Sequence, residues 1–216
     1  MIHNVNRFIM VAMEMTRQVR KKTGRPLSFD RDAALHEAML LFWRHGYEAT
    51  SLSDLTAKLG VTPPSIYGAF GNKKALFLEA VSLYLSDDSS PTGIIDAAAS
   101  AREAAHALMA GAAVAFTGAD TPPGCMLATS AISVSAGAVD VQAELSAIRN
   151  GVEAHLRARI ETDIVAGVLT AGADAEALAA HTTAVIQGMS TLARDGAPRG
   201  RLQRVVELAM TVWPQA

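Results

Sequence analysis

Apolar side chains recur at intervals of three and four residues through most of this 216-residue chain. The first such stripe follows Asp30 and consists of Leu35, Ala38, Met39 and Phe42. This spacing places side chains on one face of an α-helix, and no stretch alternates with the two-residue period of a strand. Half of the residues are hydrophobic and only 5% are aromatic, which suits packed helices better than a β-sandwich. The sequence therefore predicts an all-α fold.

Two short helices are predicted around the stretch GVTPPSIYGAF, residues 60–70. Ser51, followed three residues later by Asp54, resembles a capping box and starts the first helix, which the glycine of GVTPP ends. Prolines are tolerated in the first turn of a helix, because the first N–H groups have no intrahelical partner. The second helix therefore begins with Thr62 or Pro63 as its N-cap. Two short helices joined by a tight turn are typical of a helix-turn-helix, which we predict over about residues 51–70.

The second of these helices divides into an inner and an outer face. Ile66 and Phe70 are predicted to pack inward, whereas the small or polar outer face consists of Thr62, Ser65, Tyr67 and Gly68. A glycine inside a helix is unfavourable by roughly 1 kcal/mol relative to alanine. Its use is explained if the backbone at Gly68 must approach something bulky, as in a recognition helix. The alternative is a surface hairpin of helices in an unrelated bundle.

At this point the sequence resembles a known family. The segment FDRDAALHEAMLLFWRHGYEATSLSDLTAKLGVTPPSIYGAFGNKKALFLEAV, residues 29–81, is similar to the DNA-binding domain of the tetracycline-repressor (TetR) family. The resemblance implies an N-terminal three-helix DNA-binding domain at residues 28–88. It also implies a C-terminal helical bundle for ligand binding and dimerisation at residues 89–216. We place the linker between the domains at DDSSPTG, residues 87–93.

The resemblance also implies which residues contact DNA. By position, Tyr67 contacts a phosphate or a base edge, and Lys73 binds a backbone phosphate at the start of the next helix. Ser51 plays the same part in the preceding helix. The full predicted set is Arg25, Thr50, Ser51, Thr62, Pro63, Ser65, Tyr67, Gly68 and Lys73.

The charge distribution agrees with a polyanionic partner for the front of the chain. Residues 1–85 contain 11 of the 19 lysines and arginines but only 7 of the 21 aspartates and glutamates. Residues 1–27 are predicted to be a flexible basic arm, which either follows the DNA backbone and minor groove or is a solvated tail. Met10, Met13 and Met15 each offer an alternative start to Met1.

The rest of the chain contains longer amphipathic segments, beginning with the alanine-rich residues 94–117. We expect a ligand cavity among them, with the plain helical core as an equal alternative for each residue. The candidates are Met109, Phe116, Cys125, Met126, Leu127 and Ile132. The last two stripes, about residues 174–194 and 200–213, are predicted to pair with their copies in a four-helix interface. The predicted dimer residues are Val185, Met189, Leu192, Leu202, Val205 and Ala209.

The sequence gives little indication of a disulfide, a membrane span, a metal site or a catalytic site. Cys125 is the only cysteine, which excludes an intrachain disulfide and fits the cytoplasm, and no credible membrane span is present. Glu103 and His106 match half of a di-iron motif, whereas His155 and His181 lie on separate predicted helices. No metalloprotease, nucleophile-elbow or phosphate-loop motif occurs. We therefore expect no metal site, no cofactor and no catalytic residues.

The leading hypothesis is a homodimeric transcriptional repressor that a small apolar or planar effector releases from a palindromic operator. The runner-up is a helical carrier of small molecules without a DNA function, and an enzyme built on an all-α bundle comes third. The basic front of the chain favours the first hypothesis.

Overall fold

The computed structural model describes residues 29–86 and 90–214, and these form ten α-helices and two 3-10 turns without a β-strand. The predicted all-α fold is confirmed. The predicted arm, residues 1–27 with Arg25, lies outside the described residues. In chain order the helices are α1 (Arg31–His45), α2 (Leu52–Leu59), α3 (Pro63–Phe70), α4 (Lys73–Tyr84), α5 (Pro91–Ala97), α6 (Ala101–Ala115), α7 (Met126–Thr129), α8 (Val139–Val165), α9 (Ala175–Arg194) and α10 (Arg199–Ala209), and the 3-10 turns are Ala136–Ala138 and Met210–Val212.

The predicted helix starts of the front half are confirmed. The Asp30 carboxylate accepts hydrogen bonds from the first turn of α1, and Ser51 with Asp54 forms a complete capping box at α2. Thr62 is the N-cap of α3, so Pro63 occupies the first helical position, where its missing N–H is harmless. Gly60 ends α2 in the left-handed conformation, with φ 64°.

Helices α1 to α4 form a compact front unit around aromatic side chains. Phe42 and Phe77 meet edge to face with ring centroids 5.0 Å apart, and both are fully buried. Trp43 and Tyr84 meet in the same way at 4.9 Å. Because these four rings come from α1 and α4, those two helices form the frame on which α2 and α3 are placed.

The helices after the predicted linker differ from the prediction in two ways: the first begins inside the linker, and the alanine-rich run is interrupted. Ser90 caps α5 and Pro91 is its first residue, so the last three residues of the predicted linker are helical. The alanine-rich run is two helices rather than one segment, because Ala98 is extended and the Ser100 hydroxyl caps α6. Alanine content alone does not reveal such a break, since alanine is favourable throughout a helix.

The rear bundle consists of α5, α6, α9, α10 and the second half of α8 around one apolar core. Asp163 of α8 is 5% exposed and accepts a 2.6 Å hydrogen bond from the backbone N–H of Ala101 at the start of α6. Arg159, one turn earlier, donates to the other Asp163 oxygen at 3.0 Å. The buried carboxylate is therefore paired on both oxygens. Among the described residues, no helix combines the length and apolar character needed to cross a bilayer.

The segment around α7 joins the front unit to the rear bundle. The indole N–H of Trp43 donates to the carbonyl of Gly124 at 3.0 Å, and the backbone N–H of Tyr47 donates to the carbonyl of Ser130 at 2.8 Å. From α9, Arg194 donates to the carbonyls of Trp43 and Arg44 at 2.7 and 3.0 Å. We call these contacts the junction. The front core also takes in Met126, Leu127, Val141 and Leu145, so the predicted division at residue 88 is not a division in packing.

Gly124 is closely surrounded at the junction. Its φ is +81°, and a Cβ atom there would lie 2.8 Å from the carbonyl oxygen of Ser190 and 2.9 Å from its hydroxyl. Gly167 has a similar φ of +74°, but a Cβ atom there would meet nothing within 4 Å. The two glycines share a backbone conformation and differ in the space around them.

We expect Gly124→Ala to lower the free energy of unfolding more than Gly167→Ala does. Each variant strains a left-handed residue by about 1–2 kcal/mol, and Gly124→Ala adds roughly 1–3 kcal/mol for overpacking against α9. Urea unfolding at one protein concentration measures the difference. Equal losses in the two variants would show that the junction tolerates a methyl group.

Candidate nucleic-acid interface

Helix α3 buries one face and leaves the other free. Ile66 is fully buried and Phe70 is 4% exposed, as the sequence predicted, and both belong to the front core. Tyr67 keeps 50% of its surface exposed, and Gly68 beside it is also exposed. Helix α3 therefore presents an outer surface that none of the described residues covers.

Arg31, at the first position of α1, fixes the end of α3. Its guanidinium forms a 2.6 Å ion pair with Glu79 of α4 and donates to the carbonyl of Ala69 at 3.4 Å. The same group lies 4.4 Å from the ring centroid of Phe70. A cation near the last carbonyls of a helix is favourable, so Arg31 ties α1, α3 and α4 together. Nothing in the local sequence indicates this role of Arg31, because its partners lie 38 and 48 positions away.

Nothing in residues 29–86 and 90–214 requires a glycine at position 68. A Cβ atom at this position would meet no described atom within 4 Å, and the φ angle of Gly68 is not positive. Both ordinary reasons for a helical glycine, crowding and an unusual backbone, are therefore missing. Gly111 and Gly188 share both properties, so open space alone does not distinguish Gly68. What distinguishes Gly68 is its place beside Tyr67 on the outer face of α3, where a glycine leaves room for the close approach of a partner.

Lys73 begins α4 beside the exposed face of α3. Its ammonium lies 4.4 Å from the ring centroid of Tyr47, a cation–π contact that directs the side chain. Partial burial lowers the pKa of the Lys73 ammonium, while the carboxylates of Glu48 and Asp54 act to raise it. The first N–H groups of α4 lack intrahelical acceptors. The positive end of the helix dipole and the Lys73 ammonium therefore lie together at the start of α4. Such a combination suits a phosphate group.

Four predicted contact residues have hydroxyl groups that already form hydrogen bonds within the chain. Thr50 is only 1% exposed and donates to the carbonyl of Gly46 at 2.7 Å, so its side chain is not on the surface and the prediction needs correction there. Ser51 is exposed, but its hydroxyl donates to Asp54 at 2.6 Å within the capping box. The Thr62 hydroxyl lies 3.0 Å from that of Ser65 at the start of α3. Pro63 is exposed beside them.

Comparison with known proteins shows which family this chain resembles in sequence and structure. The family model of bacterial regulatory proteins, tetR family, matches residues 34–80. The HTH-type transcriptional repressor ComR of Escherichia coli (strain K12) is 34% identical over 207 residues, which cover 95% of this chain and 99% of ComR. The chain belongs to the TetR family. As a TetR-family member it is a DNA-binding transcriptional regulator.

Two further relatives are similar to this TetR-family chain over different lengths. The TetR family transcriptional regulator CifR, solved as a cysteine mutant with 26 bp double-strand operator DNA, is 40% identical with a TM-score of 0.83. The match covers 88% of this chain and 100% of the CifR chain. The HTH-type transcriptional regulator YezE of Bacillus subtilis (strain 168) is 47% identical over 62 residues, which are 29% of this chain and 32% of YezE.

The predicted pocket residues of this TetR-family chain are divided between the two cores. Met109 and Phe116 belong to the rear core, whereas Met126 and Leu127 belong to the front core. Cys125 is half-buried between the two cores, where it lies 3.5 Å from the Tyr84 hydroxyl. Ile132 is 51% exposed on the surface and needs correction as a cavity residue. An apolar residue in a helical pattern indicates burial but not which neighbours it meets.

The predicted dimer residues divide in a similar way. Met189 and Leu202 are fully buried within the single chain and Ala209 is 7% exposed, so the protomer's own core explains these three. Val185, Leu192 and Val205 are half-buried beside that core. The exposed apolar residues at this end of the chain are instead Leu208 and Val212, at 71% and 56%. A helical stripe cannot distinguish a chain's own core from a second copy.

We expect Gly68→Ala to weaken DNA binding without weakening the fold. Gly111, in the middle of α6, is an exposed helical glycine whose Cβ would also meet nothing within 4 Å, so Gly111→Ala is the matched control. Both variants are expected to raise the free energy of unfolding, by up to about 1 kcal/mol. Only Gly68→Ala is expected to lower the affinity for operator DNA, by roughly 1–3 kcal/mol. Thermal unfolding and fluorescence anisotropy measure the two effects, and equal DNA affinity in both variants contradicts the assignment.

Proposed function

We propose that this chain is a homodimeric repressor that releases a palindromic operator when a small molecule binds its C-terminal bundle. The observation that supports this most directly is the outer face of α3, where Tyr67 and Gly68 are exposed without serving the fold. ComR is a repressor by name, and CifR has been solved with operator DNA. Both proteins are similar to this chain over its DNA-binding helices, so we expect the same two properties here.

In the proposed complex α3 enters the major groove and the residues around it hold the DNA backbone. Tyr67 and the backbone at Gly68 approach the base edges, which differ from one base pair to another only in that groove. Lys73 and the start of α4 bind a phosphate, which fixes the register but reads no sequence. Arg31 keeps α3 at a constant angle to α4, so both kinds of contact form together.

The two recognition helices of the proposed dimer must lie about 34–36 Å apart to reach successive major grooves on one side of the duplex. We place the dimer interface on the exposed sides of α9 and α10, which include Leu208 and the half-buried Val205. Arg194, at the end of α9, also holds α1 by two hydrogen bonds. A change in the rear bundle would therefore reach the front unit through the junction as well as through α4.

Release by an effector follows from linkage between the two sites. A ligand that prefers the wider-spaced arrangement shifts the population towards it by no more than its difference in affinity. The operator must then weaken ligand binding by the same factor. A carrier without a DNA function, the alternative, offers no reason for the exposed outer face of α3 or for glycine at position 68. The three relatives named above are all regulators by name, which also argues against an enzyme.

Lys73→Ala is expected to weaken binding to all DNA sequences and to reduce the slope of log affinity against log salt by about 1, because one phosphate contact is lost. The neighbouring Lys74 is the matched control, since its ammonium pairs with Asp140 of α8 at 2.5 Å instead. Anisotropy titrations at several salt concentrations give both slopes. If Lys73→Ala keeps the slope of the natural chain, the phosphate contact is wrongly assigned.

The proposed interface predicts that Leu208→Glu yields a folded monomer. Leu208 is 71% exposed in the single chain, so a glutamate there leaves the protomer intact but places charge in an apolar interface between copies. Val165→Glu, at a residue that is 91% exposed on α8, is expected to leave the mass of the dimer unchanged. Light scattering gives both masses, and circular dichroism checks the fold. A dimeric Leu208→Glu would place the interface elsewhere.

A further inference from the structure

An open groove lies at the edge of the rear bundle, between the first turns of α6 and the 3-10 turn after α10. One lobe has a volume of about 530 Å³ and is lined by Arg102, Glu103, His106, Ala107 and Met210. The other lobe has a volume of about 420 Å³ and is lined by Arg102, Glu207, Met210, Thr211 and Trp213. Because Arg102 and Met210 line both lobes, the two form one groove. Its size is in the range of sites for small molecules.

Two residues of this groove have buried donors without an acceptor. In residues 29–86 and 90–214, three buried side-chain nitrogens make no hydrogen bond, and two of them are Nε of Arg102 and Nε1 of Trp213. The third is Nε of Arg194, whose guanidinium already donates to two carbonyls through Nη2. A buried N–H without a partner is unfavourable and uncommon in folded proteins. Trp213 is only 2% exposed, so bulk water does not satisfy its indole.

Because both unpaired groups are hydrogen-bond donors, a ligand in the groove must supply a hydrogen-bond acceptor. Indole and guanidinium groups donate hydrogen bonds and accept none. A guanidinium binds a carboxylate through two parallel hydrogen bonds, and Arg102 takes part in none of the ion pairs found among the described residues. The carboxylates of Glu103 and Glu207 also line the groove, and they repel a doubly charged anion more than a singly charged one. The donors therefore suit a monocarboxylate better than a phosphate.

We propose that the groove binds a small organic acid with one carboxylate and a short apolar chain. On binding, the side chains of Arg102 and Trp213 turn so that their buried N–H groups face the groove, and the carboxylate accepts hydrogen bonds from both. The apolar chain lies along Ala107 and Met210. None of these residues belongs to the cavity that the sequence predicted. The site goes beyond the proposed function, because acid binding is measured without DNA and its failure leaves the account of operator binding intact.

Calorimetric titration of the full chain with butanoate, hexanoate and octanoate tests the proposal, with the matching alcohols and inorganic phosphate at the same ionic strength as comparisons. We expect saturable binding of at least one acid and none of the alcohols or of phosphate. Arg102→Gln and Trp213→Phe are expected to lose at least tenfold in affinity for that acid. Trp213→Phe keeps an aromatic ring but removes the N–H. Arg157→Gln, at an arginine whose ion pair is with Glu161 of the same helix, is expected to bind as the natural chain does.

Three results would overturn the proposal. The first is an absence of binding by all three acids, and the second is equal binding of phosphate. The third is that Arg102→Gln and Trp213→Phe keep the acid affinity but lower the mass of the dimer in light scattering. In that case a second copy of the chain supplies the acceptors for these donors. Melting temperatures of the two variants close to that of the natural chain show that any loss of acid binding is local.

Discussion

The fixed position of the C-terminal end of α1 is the constraint on which the rest of the structure depends. Trp43 donates its indole N–H to Gly124, and Arg194 from α9 donates to the carbonyls of Trp43 and Arg44. Tyr47, just after the helix, donates its backbone N–H to Ser130. Since α1 and α4 form the frame on which α2 and α3 are placed, these bonds determine where the exposed face of α3 lies relative to the rear bundle. A dimer can therefore hold two such faces at one spacing.

Much of the DNA-binding unit could be predicted from sequence because its information is local. Caps such as Ser51 with Asp54 act over three residues, and the prolines before Ser65 restrict the backbone where they stand. The inward pair Ile66 and Phe70 follows from helical spacing. The glycine at position 68 could also be recognised as unusual from sequence, because glycine destabilises a helix relative to alanine whatever the fold.

The rest could not be predicted, because the same pattern has several physical explanations. Met189 and Leu202 each belong to an apolar stripe of a helix, and such a stripe has the same spacing whether it packs on the chain's own core or on a second copy. In this structure both side chains pack in the chain's own core. Thr50 matches the family at a contact position, yet its hydroxyl is bonded to Gly46 inside the chain. Arg31 and Arg194 act through partners 38 to 151 positions away, so no short window of sequence contains their role.

We infer that the outer face of α3 reads a specific duplex. The most direct measurement is the ratio of affinities for the DNA upstream of the chain's own gene and for a scrambled duplex of the same length and composition, at physiological salt. We expect a ratio of about 10³ or more, the lower end of the range for sequence-specific proteins. Equal affinity for the two duplexes, with or without added small molecules, would contradict it.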